Sequence, residues 1–177
     1  MLPDIMAAAL NEQIKVEAES SQIYLAMASW AEVKGFEGIA AFMFKQSDEE
    51  RLHMLKLLKY VNQRGGYAVV SALDEPRLDY SSFSVLFRQL YEHEVKVSAS
   101  INNLVDIALT HKDYATHNFL QWYVSEQIEE EAQAKVILDK IDLIGDSKGG
   151  LYMFDNDMKN FTSQGHNIVQ EIVQKTV

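Results

Sequence analysis

Cysteine is absent from the 177-residue chain, proline occurs only twice, and glycine occurs eight times. The absence of cysteine excludes disulfides, thiolate metal sites and cysteine nucleophiles. The scarcity of proline and glycine permits long helices, because these two residues disfavour helix most strongly. No apolar run approaches the length of about 18 residues that a membrane-spanning helix needs. We therefore expect a helical protein that depends on its core for stability.

Acidic residues outnumber basic ones by 26 to 16, which gives a net charge of -10. This charge repels phosphate backbones and anionic lipid, and it attracts cations. The first stretch, MLPDIMAAALNEQ, carries acidic residues where a secretion signal would carry basic ones. We expect a soluble, cytoplasmic protein that binds neither nucleic acid nor membranes.

Helical periodicity and the glycine positions divide the chain into four long helices and one short helix. The long helices are expected at about residues 5–34, 37–64, 82–111 and 113 or 114–144. A short last helix is expected within LYMFDNDMKNF, at about residues 151–161. The stretch from 65 to 81 contains Pro76 and has no helical period.

The lengths of the connections decide the topology. The first and third connections are too short to span a helix, so each joins antiparallel neighbours. The second, of about 17 residues, can reach about 56 Å, whereas a helix of about 29 residues is about 44 Å long. We therefore predict an all-α four-helix bundle with one long crossover between the second and third helices.

Each long helix carries an apolar stripe that polar residues interrupt near its midpoint. Midpoints coincide in a bundle whichever way the helices run, so these interruptions should meet in one layer. The interrupting residues are Glu17 on the first helix, Glu50 and His53 on the second, Glu94 on the third, and Gln127 and Glu130 on the fourth.

Four buried carboxylates must be neutralised, because an isolated ionised carboxylate in a core costs several kcal/mol. None of the stripes offers a lysine or arginine as a partner. Protons could neutralise the four groups through raised pKa values. Two divalent cations would balance four carboxylates, and His53 provides a mixed nitrogen and oxygen ligand set that suits iron or manganese better than calcium or magnesium. The four interruptions in register favour this two-metal site.

Several other residues are expected to lie near the layer. Tyr24, one turn beyond it, is expected to pack in the core and to hydrogen-bond a ligand carboxylate, and a redox role is the alternative. Glu49, Glu126 and Glu129 flank the layer, although each alone is typical of a solvated glutamate. No role is assigned to the histidines off the stripes or in turns, which are His93, His111, His117 and His166.

Several stretches together resemble a bacterial non-haem ferritin. They are LNEQ followed by Glu17, SSQIY ending at Tyr24, FEGIAAF, EERLHM, FLQWYVSEQIEEE and GLY. The resemblance implies a ferritin-like di-iron domain over about residues 1–162, and a tail of unassigned role over about 163–177. It also implies a ferroxidase that oxidises Fe(II) to Fe(III) with O2 or H2O2. The ferric mineral would be stored inside a shell of about 24 identical subunits.

The resemblance also implies roles for individual residues. The first iron site would use Glu17, Glu50 and His53. The second would use Glu94, Glu130 and a bridging Glu50, with Gln127 close by. A third iron site would use Glu49, Glu126, Glu129 and Glu130.

The sequence also departs from the haem-containing relatives, which have two Glu-x-x-His pairs and a methionine after the first pair's glutamate. Here Arg51 takes the methionine position, and the fourth helix offers Gln127 and Glu130 in place of a second pair. Haem is therefore not expected. With one histidine, one of the two metals should be held less tightly, which fits a site that passes iron onward.

Two other functions remain open. One is a di-iron oxidase or peroxidase with a fixed cofactor, similar to rubrerythrin. The lack of a cysteine-ligated iron domain and of a second Glu-x-x-His pair argues against it. The other is a metal-free helical interaction module, which would require the four carboxylates to be protonated or exposed.

Overall fold

The computed structural model describes residues 1–145, 147–159 and 161, and within them the chain forms four long helices and a short fifth. None of these helices is long and apolar enough to cross a membrane. The long helices are α1 (Asp4–Val33), α2 (Glu37–Gln63), α3 (Phe83–Thr110) and α4 (Tyr114–Ile144). Their bounds agree closely with the predicted ones, and the predicted all-α fold class is confirmed.

The short helix, α5, covers 148–159, so it begins earlier than predicted. Ser147 begins it by accepting a hydrogen bond from the backbone N–H of Gly150 at 3.2 Å. A serine cap of this kind satisfies an unpaired N–H at a helix start. The predicted tail over 163–177 lies outside the described residues.

The bundle is built from antiparallel neighbours. Helix α1 lies beside α2, α3 lies beside α4, and α1 also meets α3. Contacts between α1 and α3 run in opposite chain directions, since Gln13 pairs with Ser100 and Tyr24 pairs with Glu94. Helices α2 and α4 are also antiparallel. Along α2, Gln46, His53 and Tyr60 form hydrogen bonds in turn with Glu130, Tyr123 and Thr116 of α4.

The crossover between α2 and α3 lies along α1. Near one end, the backbone N–H of Val69 donates to Asn11 Oδ1 at 2.8 Å, and Asn11 Nδ2 donates to the Tyr67 carbonyl at 3.1 Å. Near the other end, Trp30 Nε1 donates to Asp79 Oδ1 at 2.9 Å. Because Asn11 and Trp30 lie toward opposite ends of α1, the crossover spans the bundle as predicted.

The apolar core consists of two clusters with a polar layer between them. One cluster includes Tyr24 and Ala28 of α1, Met43 of α2, Leu90 of α3 and Ala134 of α4. The other includes Leu10 and Ile14 of α1, Leu57 of α2, Val97 of α3 and Tyr123 of α4. The buried polar residues that separate the clusters along the four helices are Glu17, Gln46, Glu50, His53, Glu94 and Gln127. Five of the six residues predicted for the midheight layer are among these buried residues, and the sixth, Glu130, is half-buried.

Helix α5 docks against the start of α2. Asp155 Oδ1 accepts a hydrogen bond from the backbone N–H of Ile39 at 2.9 Å, which satisfies one of the N–H groups that a helix start leaves unpaired. Gly38 lies so close that an added Cβ would be 1.8 Å from the Asp155 carbonyl oxygen. The absence of a side chain at this position is therefore a condition for docking.

Replacing Gly38 with alanine should weaken the docking of α5, because backbone must move to admit the methyl group. We expect a loss of about 1–3 kcal/mol, the usual cost of overpacking, and a lower Tm by circular dichroism. Gly149→Ala is the matched control, since an added Cβ at Gly149 meets nothing within 4 Å. Equal Tm values for the two variants would contradict the close approach.

Candidate metal centre

Three buried side chains from two helices form the most compact group of possible metal ligands. In the described part of the chain, Glu17, Glu50 and His53 are the only group of three or more possible ligands whose ligand atoms all lie within 4.8 Å of one another. Glu50 and His53 share one face of α2 because they are three residues apart, and Glu17 faces them from α1. His53 Nδ1 lies 3.3 Å from Glu50 Oε2. Two carboxylates and an imidazole are a donor set that suits a transition-metal ion.

The carboxylate of Glu17 has one oxygen without a partner. Oε1 accepts a hydrogen bond from Gln13 Nε2 at 2.9 Å, whereas Oε2 is buried and has no hydrogen-bond partner among the described residues. Burial raises the pKa of Glu17 well above its usual value, and the charge of Glu50 raises it further. A cation would supply the missing partner and relieve this repulsion, so the residues fit a bound metal ion.

Glu50 lies at the centre of the layer. Burial raises its pKa well above the usual value, and the charge of Glu94 raises it further. Glu130 and Glu49 also raise the pKa of Glu50. Glu50 therefore lies close enough to Glu17 of α1 and Glu94 of α3 for the charges of these carboxylates to interact.

Glu94 extends the layer onto α3, and both of its carboxylate oxygens have partners. The hydroxyl of Tyr24 donates to Oε1, and Gln127 Nε2 donates to Oε2 at 3.1 Å. Burial raises the pKa of Glu94, and these two hydrogen bonds oppose that shift. The expected hydrogen bond from Tyr24 to a layer carboxylate is therefore present.

Glu130 is half-buried, in contrast to the expectation of a fourth fully buried carboxylate. Its Oε2 accepts hydrogen bonds from Gln46 Nε2 at 3.0 Å and Gln133 Nε2 at 3.5 Å. Side chains bridge α2 and α4 here without the close backbone approach seen between the other neighbours. Burial, followed by the charge of Glu94, raises its pKa to about 8.

The residues expected at a third iron site lie beside Glu130. Glu49, Glu126 and Glu129 are all half-buried. The charges of Glu49 and Glu126 both raise the pKa of Glu130, and Lys45 Nζ lies 3.4 Å from Glu49 Oε1. Across the described ranges these glutamates form no ligand group as compact as that of Glu17, so the third site stays a prediction.

Two aromatic side chains of α4 hold His53 in place. The hydroxyl of Tyr123 donates to the His53 carbonyl at 2.8 Å. The rings of Trp122 and His53 meet edge to face with centroids 5.3 Å apart. Lys56 Nζ lies 3.1 Å from the Trp122 ring centroid, in a cation–π contact. Trp122 and Tyr123 therefore pack against the second helix at His53.

Sequence reasoning missed several of the polar side chains around the layer. Gln13 precedes Glu17 by one helical turn, and that spacing could have indicated its contact. Gln46 precedes Glu50 by one turn of α2, and the same spacing could have placed it in the layer. His93 was assigned none, yet its Nε2 lies 2.7 Å from Ser20 Oγ, and burial lowers its pKa to about 4.

The family model described as a ferritin-like domain matches residues 7–144. The chain belongs to the ferritin-like family. The family resemblance that the sequence motifs predicted is thereby confirmed.

Several named ferritins are similar to this chain over nearly their whole length. A bacterial non-haem ferritin of Campylobacter jejuni is 44% identical over 160 residues, which cover 90% of this chain and 96% of the relative. A probable bacterial non-haem ferritin-like protein of Haemophilus influenzae is 41% identical over 164 residues, covering 93% and 99%. The open pore ferritin of Archaeoglobus fulgidus superimposes with a TM-score of 0.88 at 42% identity, covering 90% and 98%. These similarities support the role of an iron-storage ferritin.

The raised pKa values predict how the stability of the metal-free protein depends on pH. A carboxyl group with a raised pKa stabilises the folded state fully below its unfolded pKa of about 4.5, and this contribution is lost as pH rises through the folded value, about 8 for Glu130. We therefore expect the Tm in the presence of a chelator to fall between pH 5 and about pH 8. A redox-inert divalent cation should reduce this fall, because it binds the ionised carboxylates of the folded state.

Glu130→Gln is the matched variant, because it removes one titrating group and preserves most of the shape. It should flatten the upper part of the pH profile in the chelator. A metal-free Tm that rises over the same pH range would contradict the buried-carboxylate account.

Proposed function

We propose that this chain is the subunit of an iron-storage ferritin that oxidises Fe(II) at the midheight layer. The observation that carries the proposal is the group of Glu17, Glu50 and His53, which leaves the buried Glu17 Oε2 without a partner. Glu94 and Glu130 continue the layer on the other two helices. Four carboxylates balance the charge of two Fe(II) ions, which are the substrate.

The proposed roles follow from the positions of the side chains. Glu17 and His53 bind the first iron, and Glu50 bridges both ions because it interacts with carboxylates on both sides. Glu94 and Glu130 bind the second iron, with the Gln127 amide beside them. Two adjacent Fe(II) ions supply two electrons together. That number reduces O2 to H2O2, or H2O2 to water, with two protons consumed in either case.

The centre is asymmetric in a way that suits the passage of iron. The first iron is offered a histidine nitrogen, whereas the second is offered only oxygen ligands. Both oxygens of Glu94 already accept hydrogen bonds, and Glu130 is tied to Gln46. A metal that competes with these bonds is held less tightly. In the proposal, Glu49, Glu126 and Glu129 then receive Fe(III) on its way to the mineral.

The two alternatives fit the site less well. A metal-free interaction module would need a proton held between Glu17 and Glu50, because Glu17 Oε2 is buried without a partner when both groups are ionised. A fixed-cofactor oxidase would need both metals to be retained, and the second set of ligands contains no histidine. Loss of iron from the centre during gel filtration would favour the storage function over the fixed cofactor.

The proposed shell predicts the mass of the native particle. Repeated heterologous contacts with suitable rotations close into a symmetric assembly. Light scattering should therefore give about 24 times the monomer mass of 20.2 kDa. A stable monomer or dimer would exclude storage in a shell and would leave the two-metal site possible.

The division between oxidation and transfer can be tested with paired variants. His53→Ala or Glu50→Ala should abolish the fast oxidation of two Fe(II) per subunit, because each removes a ligand that holds the iron pair. Glu126→Ala should preserve the first fast phase and slow the recovery of the centre for a second addition of Fe(II). Stopped-flow absorbance with successive additions measures both phases.

Glu92→Ala, at an exposed position on α3, is the control for the loss of one negative charge. It should leave both phases unchanged. If Glu126→Ala abolished the first phase as completely as His53→Ala, then Glu126 would have to be a ligand of the iron pair.

A further inference from the structure

Gln13 is a buried amide that contacts a proposed ligand and lies outside the group of ligands itself. It and Glu17 are each only 1% exposed, and they lie one turn apart on the same face of α1. Gln13 Nε2 donates to Glu17 Oε1 at 2.9 Å. This bond occupies one carboxylate oxygen, and the unpartnered Oε2 is the other.

Ser100 determines which end of the Gln13 amide faces Glu17. The Ser100 hydroxyl, on α3, donates to Gln13 Oε1 at 2.5 Å. A carboxylate oxygen only accepts hydrogen bonds, so the amide NH2 must face Glu17 and the amide oxygen must face the serine. The chain of contacts from Ser100 through Gln13 therefore connects α3 to the carboxylate on α1.

A neutral amide is well suited to this position. A lysine or arginine here would also hold the carboxylate, but its charge would compete with the cation. A second carboxylate would add to the repulsion that already raises the pKa of Glu17. An amide fixes the carboxylate without changing the net charge of the layer.

We propose that Gln13, oriented by Ser100, is a positioning residue that holds Glu17 with one oxygen directed to the first metal ion. The inference rests on the proposed function, because it assumes that Glu17 binds a cation. Residues that orient metal ligands through hydrogen bonds typically change metal affinity by about 10- to 100-fold when they are replaced.

Gln13→Met tests the proposal, because it keeps the length of the side chain and removes the amide. The probe is Co(II), whose visible absorption reports its ligands, added to the full-length assembled protein. Calorimetry should show binding of the first Co(II) weakened by about 10- to 100-fold, and the visible spectrum should shift. Because the visible spectrum reports the ligand geometry of Co(II), a shift at an unchanged Tm separates a positioning role from a general loss of packing.

Variants at Ser100 keep the test decisive if Gln13→Met does not fold. Ser100→Ala removes the group that orients the amide and should weaken Co(II) binding in the same direction, by a smaller factor. Ser100→Thr retains the hydroxyl and should restore the wild-type affinity. Equal affinities for Ser100→Ala and Ser100→Thr would overturn the proposal.

Ser20→Ala is the matched control, because it removes a different hydrogen bond between α1 and α3. In that bond Ser20 Oγ lies 2.7 Å from His93 Nε2. The control variant should leave the affinity and the spectrum of the first Co(II) unchanged. The role of Gln13 would be overturned if a folded Gln13→Met protein bound Co(II) like the wild type. It would also be overturned if Ser20→Ala lost as much Co(II) affinity as Gln13→Met. A wild-type protein that binds no Co(II) at the layer would overturn the proposed function as well.

Discussion

The structure depends on one costly interaction, the burial of carboxylates of like charge in the middle of a helical core. Glu17, Glu50 and Glu94 come from three different helices, and their pKa values are all raised by burial. A layer of this kind interrupts the apolar packing, so the core is divided into two clusters. Stability in the metal-free protein must come from these clusters, since the layer opposes folding when its groups are ionised.

Neutral glutamine amides make the layer compatible with folding. Gln13 donates to Glu17, Gln127 to Glu94 and Gln46 to Glu130, so each of these carboxylates has an amide partner. Each bond lowers the pKa of its carboxyl group and opposes the effect of burial. Because the amides carry no charge, they leave the negative charge of the layer available to a cation.

The rest of the bundle keeps the four helices in register. A shift of one helix by one turn, about 5.4 Å, would move its carboxylate out of the layer. The crossover is bonded to Asn11 near the start of α1 and to Trp30 near its end, and α5 is bonded to the start of α2 through Asp155. These contacts lie far from the layer, yet they restrict the sliding that would disperse it.

Local spacing in the sequence was enough for the helices, the crossover and most of the layer. The stripe that helical spacing predicts along α3 is buried at all eight of its positions, which are Phe83, Phe87, Leu90, Glu94, Val97, Ile101, Leu104 and Ala108. Glu50 and His53 could be assigned to one face because a spacing of three residues fixes their relative direction on any helix. The meeting of Glu17 with them followed from the coincidence of helix midpoints.

Tertiary structure alone decided which atoms touch across helices. Glu130 is half-buried at a place where only side chains join α2 and α4, and helical spacing within α4 does not reveal that arrangement. The hydrogen bond from Ser100 to Gln13 joins residues 87 positions apart in the chain, and helical periodicity gives no information about contacts between such distant positions. Periodicity specifies the direction of a side chain around its own helix axis. The partner that the side chain meets depends on the rotation and spacing of the neighbouring helix, which only the packed bundle sets.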